Sequence, residues 1–144
     1  LVLYFYIRPK SAFNEPMDAI VYGVIISLGF ATFENITYVY MGGLEADSFS
    51  LAIMRAVSAI PLHATCGIIM GYFFGLYAFT NSKNYLIKSL VFPVAIHATY
   101  NFLTLYDFFF LYFLVAVMVY ARGLHTELSE LQLKKSREDQ AKVI

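Results

Sequence analysis

Long apolar stretches separated by short polar segments make up most of this chain of 144 residues. A helix needs about 20 mostly apolar residues to cross a bilayer, and the stretches approach or exceed that length. The pattern predicts an all-α protein: a polytopic transmembrane helical bundle with four full spans, preceded by the end of another helix. The predicted helices are that apolar end at residues 1–7, spans at about 17–41, 49–79 and 85–105, and a last span from a turn at Asp107 to about residue 121.

Proline and glycine residues mark where these helices begin, bend and end. Pro16 suits the first turn of the first full span, and Gly42-Gly43 is expected to end it. Pro61 is expected to bend the next span, because proline lacks a backbone donor and clashes with the preceding turn. The chain opens at Leu1 in what resembles the end of an apolar helix, which favours a fragment of a longer protein.

Composition supports a membrane location and argues against other classes. Hydrophobic residues make up 60% of the chain and charged residues 14%, against about 45–50% and about 25% in soluble domains. The formal net charge is zero, so no overall positive field favours nucleic acid as a partner. The one cysteine, Cys66, excludes an internal disulfide. The expected surroundings are therefore the lipid bilayer of a cell membrane.

The distribution of basic residues orients the bundle. Lys and Arg flank the first and third loops and follow the last span, whereas the second and fourth loops hold acids without Lys or Arg. The positive-inside rule places the first and third loops and the C-terminal tail in the cytoplasm. We therefore expect a transmembrane bundle at 1–122 and a cytoplasmic polar tail at 123–144. In that tail Leu124, Leu128 and Leu131 are spaced like one face of an amphipathic helix lying on a surface.

Three ionisable residues lie inside three separate apolar spans: Glu34, His63 and His97. An ionisable side chain at membrane depth costs at least about 2.5–3.5 kcal/mol on insertion scales, so it usually faces the bundle interior and has a function. Glu34 and His97 lie about 10–12 Å, and His63 up to about 20 Å, from the predicted outer ends of their helices. The three side chains can therefore meet in the outer half of the bilayer, as a metal site or as an acid–base site. A neutral buried acid and interhelical histidine hydrogen bonds are the plainer alternatives.

Other polar residues flank these three. Asn101 follows His97 by one turn on the same helix face, where an imidazole and an amide can bind a metal, orient a water or stabilise an oxyanion. Asn101 and Asn35 could instead brace neighbouring helices. Arg55 is expected to extend to the membrane interface, and His125 in the tail is expected to be solvated.

Small residues share the face of the helix that carries His63. Ala59, His63, Gly67, Gly71 and Gly75 are each four positions apart. Glycines at this spacing let a second helix approach backbone to backbone. The spacing alone indicates packing rather than chemistry, but it places His63 at a close helix interface instead of towards lipid.

Several of these residues stand in motifs of a known family. The stretch Asn14-Glu15-Pro16-Met17-Asp18-Ala19-Ile20-Val21-Tyr22-Gly23, then Leu28-Gly29-Phe30-Ala31 and Glu34-Asn35, resembles the PrsW family of bacterial intramembrane proteases. His63 on the next span and His97-x3-Asn101 on the one after extend the resemblance over residues 13–105. More distantly, the family is similar to the CAAX prenyl endopeptidases, with Phe30-x3-Glu34 at the position of their second motif.

The resemblance implies peptide-bond hydrolysis within or beside the membrane. The family's namesake makes the first cut in a membrane-bound anti-sigma factor, which leads to release of a stress-response sigma factor, so a single-span membrane protein of that kind is the implied substrate. A Glu-Glu-x-x-Lys motif, the usual source of the general base, is implied just before the position of Leu1. The implied catalytic residues here are Glu34, His63, His97 and Asn101.

Two mechanisms and two other functions remain open at this point. Two histidines and a glutamate are an accepted catalytic zinc set with water in the fourth position, so Glu34, His63 and His97 could hold zinc; the same groups could also act without metal, as a glutamic-type site. The alternatives to a protease are a transporter or proton relay through the buried Glu and His, or a catalytically inactive membrane scaffold. A relay needs a path to the cytoplasmic side. No acid, base or histidine lies between Asp18 and Glu34 or between His63 and Lys83, which counts against a proton path through the membrane.

Overall fold

The computed structural model describes residues 1–41, 48–106 and 108–143, and this part of the chain is helical, without a β-strand. A π-helical segment, Leu3–Ile7, precedes five α-helices. The predicted loop residues Gly42-Gly43 and the predicted turn at Asp107 lie outside the described residues. The helices are α1 (Pro16–Met41), α2 (Ser48–Val57), α3 (Ala59–Thr80), α4 (Lys83–Leu103) and α5 (Phe109–Val143).

Within the part of the chain that the structure describes, four segments are long and apolar enough to cross a membrane, which confirms the predicted polytopic helical bundle. They are Pro16–Tyr40, Phe49–Thr80, Lys83–Leu103 and Phe109–Glu138. Pro16 stands at the first position of α1 as expected. The polar turn after α3 is closed by Asn81, which adopts a left-handed conformation (φ 58°) and donates its backbone N–H to the Tyr77 carbonyl at 2.7 Å.

Helix α3 forms the centre of the bundle, and the other helices pack around it. Its residues Leu62 and Ile69 are fully buried, whereas α1, α4 and α5 expose many large apolar side chains outward. A helix that is apolar on all sides and buried on all sides belongs at the centre of a bundle. Outward apolar side chains on the surrounding helices suit contact with lipid.

The glycine face of α3 packs directly against the backbone of α1, as the spacing predicted. A Cβ atom at Gly67 would lie 2.6 Å from the Val24 Cα, and one at Gly71 would lie 2.4 Å from the Ala19 carbonyl oxygen. Gly23 of α1 makes the reciprocal approach, since its Cβ would lie 2.6 Å from the Gly67 carbonyl oxygen. These distances leave no room for a side chain, so only glycine permits this helix spacing.

The long span predicted at 49–79 is divided into α2 and α3 at Ser58, whose backbone is non-helical (φ −125°, ψ −57°). Pro61 explains the position of the break, because a proline ring clashes with the carbonyl of the residue four positions earlier, here Val57. The predicted bend is confirmed, and it lies upstream of the proline. Consequently Pro61 stands in the first turn of α3, where its missing N–H needs no partner. His63 therefore lies only one turn from the start of α3.

The C-terminal residues continue α5 without a break to Val143. Leu124 and Leu128 are buried in the core with Ile20 and Ile69, so the prediction that they lie on a surface is wrong, whereas Leu131 is exposed. The polar end of the helix packs beside the first loop, because Gln132 hydrogen-bonds the Glu15 carboxylate and accepts from the Met17 backbone N–H. The division at residue 122 into bundle and cytoplasmic tail stays a prediction.

Candidate active site

Glu34 lies near the end of α1 and contacts three ionisable side chains from three other helices. Its Oε2 atom accepts a hydrogen bond from Arg55 Nη2 at 2.8 Å and lies 3.0 Å from His63 Nε2. Its Oε1 atom lies 3.6 Å from His97 Nε2. An ionised carboxylate only accepts hydrogen bonds, so the His63 contact requires the proton on Nε2. The structure therefore brings together Glu34, His63 and His97, as their similar depths predicted.

Residues of α1 contact the two histidines and restrict their movement. His63 is 2% exposed, and its backbone carbonyl accepts a hydrogen bond from the Ser27 hydroxyl of α1 at 2.6 Å. The imidazole rings of His63 and His97 lie 4.8 Å apart between centroids. Phe30, one turn before Glu34, places its ring edge-to-face against both imidazoles. Phe30 and Glu34 thus share a helix face, and the partly exposed Phe30 ring covers one side of the two imidazoles.

A hydrogen bond at the α2–α3 junction fixes the helix that carries His97. Tyr100 of α4 donates its hydroxyl to Ser58 Oγ at 2.8 Å, and Ser58 Oγ donates to the Met54 carbonyl at 2.6 Å. Both hydroxyl groups lie next to the break between α2 and α3. The Tyr100–Ser58 hydrogen bond therefore joins the α2–α3 break to the end of α4, about one turn from His97.

Asn101 lies beside the cluster rather than in it. The residue is exposed, and it lines a cavity of about 470 Å³ together with Arg55. The cavity lies between α1, α2, α4 and the start of α5, and its walls combine hydroxyl groups with apolar side chains. The other lining residues are Tyr38, Leu51, Met54, Ser58, Tyr100, Thr104, Leu105 and Phe110.

Comparison with known proteins identifies the family. A model of the PrsW family of intramembrane metalloproteases matches residues 1–122. The chain belongs to the PrsW family. It is 41% identical over 106 residues to Protease PrsW of Geobacillus kaustophilus, an alignment that covers 72% of this chain and 45% of that protein. It is 36% identical over 122 residues to Protease PrsW of Bacillus subtilis, covering 83% and 54%.

The match has a defined extent. The chain spans about half the length of the curated PrsW relatives that it matches. No solved structure matches it. The family and the four apolar spans together make the chain part of a multi-pass membrane protein. Glu34, His63, His97 and Asn101 all fall inside the matched region.

The PrsW family is described as metalloproteases, and the cluster fits a metal. One ligand atom from each of Glu34, His63 and His97 lies within 4.8 Å of the others. Ligands of a tetrahedral zinc ion, at bond lengths of about 2.0–2.1 Å, are about 3.3 Å apart. The distance from Glu34 Oε2 to His63 Nε2 is 3.0 Å and that from the other oxygen, Oε1, to His97 Nε2 is 3.6 Å, so small side-chain shifts would bring the three residues to zinc-ligand spacing. Metal binding would displace the proton from His63 Nε2, as ligation by neutral imidazole requires.

Arg55 is the residue of this PrsW site that sequence reasoning missed. The expectation that it extends to the membrane interface is wrong, because its side chain is 13% exposed and pairs with Glu34. Its Nε donates to Asn35 Oδ1 at 2.7 Å, and its guanidinium lies 3.9 Å from the centroid of the Tyr38 ring. Asn35 therefore braces a neighbouring helix, as one alternative held. A signal was present in the sequence: Arg55 is the one cation in the apolar span that carries His63, and its predicted depth is close to that of Glu34.

The remaining candidates lie away from the PrsW site. His125 is exposed on α5, as expected for a solvated side chain. Cys66 is a buried free cysteine that packs with Leu62 and Tyr100 and points its Sγ towards the Pro93 carbonyl. A buried thiol among apolar neighbours acts as a small core residue.

Proposed function

We propose that this chain is the core of an intramembrane endopeptidase that hydrolyses a peptide bond of a membrane-anchored protein. The observation that carries the proposal is the convergence of Glu34, His63 and His97 from three helices of a bundle that belongs to the PrsW family. A carboxylate and two imidazoles can hold a water, accept its proton and return that proton to the leaving amine. A purely structural ion pair would need only one partner for Glu34.

The contacts of each group support distinct tasks. Glu34 Oε2 is engaged by Arg55 and His63, which leaves Oε1 on the His97 side as the acceptor for a proton from an attacking water. His63 is immobilised by packing and by its bond to Glu34, and we assign it to help hold the attacking water beside the carboxylate. The His97 side chain is 24% exposed and Asn101 is exposed, and we assign both as donors to the oxyanion that forms from the scissile carbonyl.

A metal adds one element to this scheme. Glu34, His63 and His97 would hold it, and it would supply an acidified water and a positive charge beside the carbonyl. We propose zinc, since two histidines and one carboxylate leave a fourth position for water. A second carboxylate from the Glu-Glu-x-x-Lys motif implied before Leu1 would then serve as general base.

The cavity beside Asn101 is the proposed place for the substrate. Its hydroxyl and amide groups can hydrogen-bond the backbone of an unwound peptide, and its apolar walls, including Leu51 and Phe110, can receive a side chain. Arg55 lines this cavity and also contacts Glu34, so a peptide bound in the cavity would lie close to the Glu34 carboxylate. With the orientation from the positive-inside rule, cleavage takes place near the outer surface and the C-terminal tail is cytoplasmic.

The resemblance to the family's namesake supports a more specific proposal for the substrate. We propose site-1 cleavage of a single-span anti-sigma factor or similar regulator, whose transmembrane helix would unwind at its outer end to reach the site. Such a cut would start regulated proteolysis of the kind used in stress responses.

A reconstituted cleavage assay tests the function and the metal together. The full-length protein, purified and placed in liposomes with a tagged single-span anti-sigma factor, is expected to release a fragment of defined size. A zinc chelator is expected to suppress cleavage at least tenfold, and added zinc should restore it. A scrambled juxtamembrane segment in the substrate is the control. Absence of cleavage by well-folded protein would contradict the protease, and full activity in chelator would point to a metal-free glutamic-type site.

Filling the cavity tests the proposed substrate position. Leu51→Trp should raise KM on the order of tenfold with a smaller change in kcat, because the new ring occupies space that the peptide needs. Ile53→Trp is the matched control, since Ile53 lies on the same helix with its side chain 50% exposed and outside the cavity lining. Equal KM values for the two variants would place the substrate elsewhere.

A further inference from the structure

Helix α2 carries a single charged residue, Arg55, and turns it towards the cluster. Its sequence from Ser48 to Val57 is otherwise apolar or small. Phe49, Ile53 and Val57 are exposed on its outer face. A cation on such a helix would ordinarily extend to water, because burying it without a partner is costly. Its inward position therefore needs compensating contacts.

Three residues of α1 supply those contacts within about one turn. Glu34 and Asn35 accept from two different nitrogens of the guanidinium, Nη2 and Nε, at 2.8 and 2.7 Å. Tyr38 lies under its face at 3.9 Å. A guanidinium is a rigid planar fork, so two hydrogen bonds and one stacked ring fix its position and orientation together. The Arg55 guanidinium can then fix the orientation of a side chain that it contacts.

Arg55 contacts the Glu34 carboxylate at the centre of the cluster. Arg55 engages Oε2, the same oxygen that contacts His63, and its charge offsets that of Glu34 in a setting with little water. The carboxylate plane is thereby held so that Oε1 faces His97. Without Arg55 the carboxylate could rotate about its terminal torsion, which is broad and weakly restrained.

We propose that Arg55 is a positioning residue of the site, acting through Glu34 and held in turn by Asn35 and Tyr38. The short helix α2 is then part of the active site, since it carries the residue that orients the Glu34 carboxylate. This proposal rests on the proposed protease function for its kinetic consequences, while the Arg55–Glu34 coupling can be measured without catalysis.

The kinetic experiment compares Arg55→Met, Arg55→Lys and Asn35→Ala in the full-length protein with the tagged single-span substrate. Arg55→Met should lower kcat about 10-fold to 100-fold, the range typical of residues that orient a catalytic group, with KM changed less than about twofold. Arg55→Lys should recover part of kcat, because a point charge replaces the fork. Adding Asn35→Ala to Arg55→Met should have little further effect, since both changes release the same side chain.

A matched control lies at the other end of the bundle. Arg8 donates to the Tyr77 hydroxyl at 3.1 Å and stacks near the rings of Tyr77 and Tyr4, with no contact to the cluster. Arg8→Met removes comparable guanidinium contacts and should leave kcat unchanged. An Arg55→Met protein with normal kcat per folded molecule would overturn the proposal, as would a loss of kcat equal to that of Arg8→Met.

Thermal unfolding in detergent provides the readout that needs no activity. Arg55→Met should lower the unfolding temperature more in the wild-type background than in Glu34→Gln, because only in the wild-type background does the change leave a buried carboxylate without its arginine partner. Equal shifts in both backgrounds would show that Arg55 does not act through Glu34. If this coupling is found but the wild-type protein cleaves no substrate, the protease function fails and the pairing stands.

Discussion

Glu34→Gln is expected to reduce cleavage of a membrane-anchored substrate by about a thousandfold or more, because proton transfer and water activation each contribute large factors to the rate. The glutamine keeps the shape of the side chain, and its amide oxygen can still accept from Arg55. It loses the negative charge that accepts a proton and that would bind a metal. Fragment release per molecule of folded protein is the measurement, with abundance followed on the same samples.

His63→Ala and His97→Ala in the full-length protein should give losses of similar size. His125→Ala is the matched control, since His125 is exposed on α5 and far along the chain from the cluster. Protein levels of the site variants should stay near normal, because removing an ionisable group from a membrane interior relieves a cost. If instead abundance falls while activity per molecule persists, Glu34 and the histidines are structural hydrogen-bonding partners. Near-normal activity in all three variants would put the protease site elsewhere.

The elements of the fold and the core of the site were predictable because the membrane restricts both. Apolar length fixes where spans lie, and helix geometry converts position along a span into depth. Glu34, His63 and His97 each interrupt an apolar stretch at a comparable depth, and meeting inside the bundle avoids exposing them to lipid. The four-residue spacing of Gly67, Gly71 and Gly75 predicted a close helix contact for a similar reason, since it leaves a continuous groove on one helix face.

Two features depended on contacts that no single span reveals. Arg55 lies near a span end, where extension to water is the usual outcome, and its inward position depends on Asn35 and Tyr38 of another helix. Leu124 and Leu128 have the spacing of a surface helix, but α5 continues without a break and keeps the same face against α3. In both cases contacts with another helix, rather than the pattern within one span, determine where the side chain points.

The second large effect is structural and concerns Gly71. Gly71→Leu should prevent stable folding, because even a Cβ atom there would lie 2.4 Å from the Ala19 carbonyl oxygen and 2.4 Å from the Ile20 Cα. Both neighbours are backbone atoms of α1, so no side-chain rotation can relieve the clash and the helices must separate. Overpacking typically costs about 1–3 kcal/mol, and we expect a loss at or above the top of that range.

Thermal unfolding in detergent and steady-state abundance measure this loss, and Gly29→Leu is the control. Gly29 lies on α1, and a Cβ there would meet nothing within 4 Å, so a new side chain projects outward without a clash. Separating α1 from α3 would also pull Glu34 away from His63, because the same glycine face holds both in register. Gly71→Leu should therefore lose stability and activity together, whereas Glu34→Gln loses activity alone. A Gly71→Leu protein with wild-type abundance and unfolding temperature would contradict the backbone contact between α1 and α3.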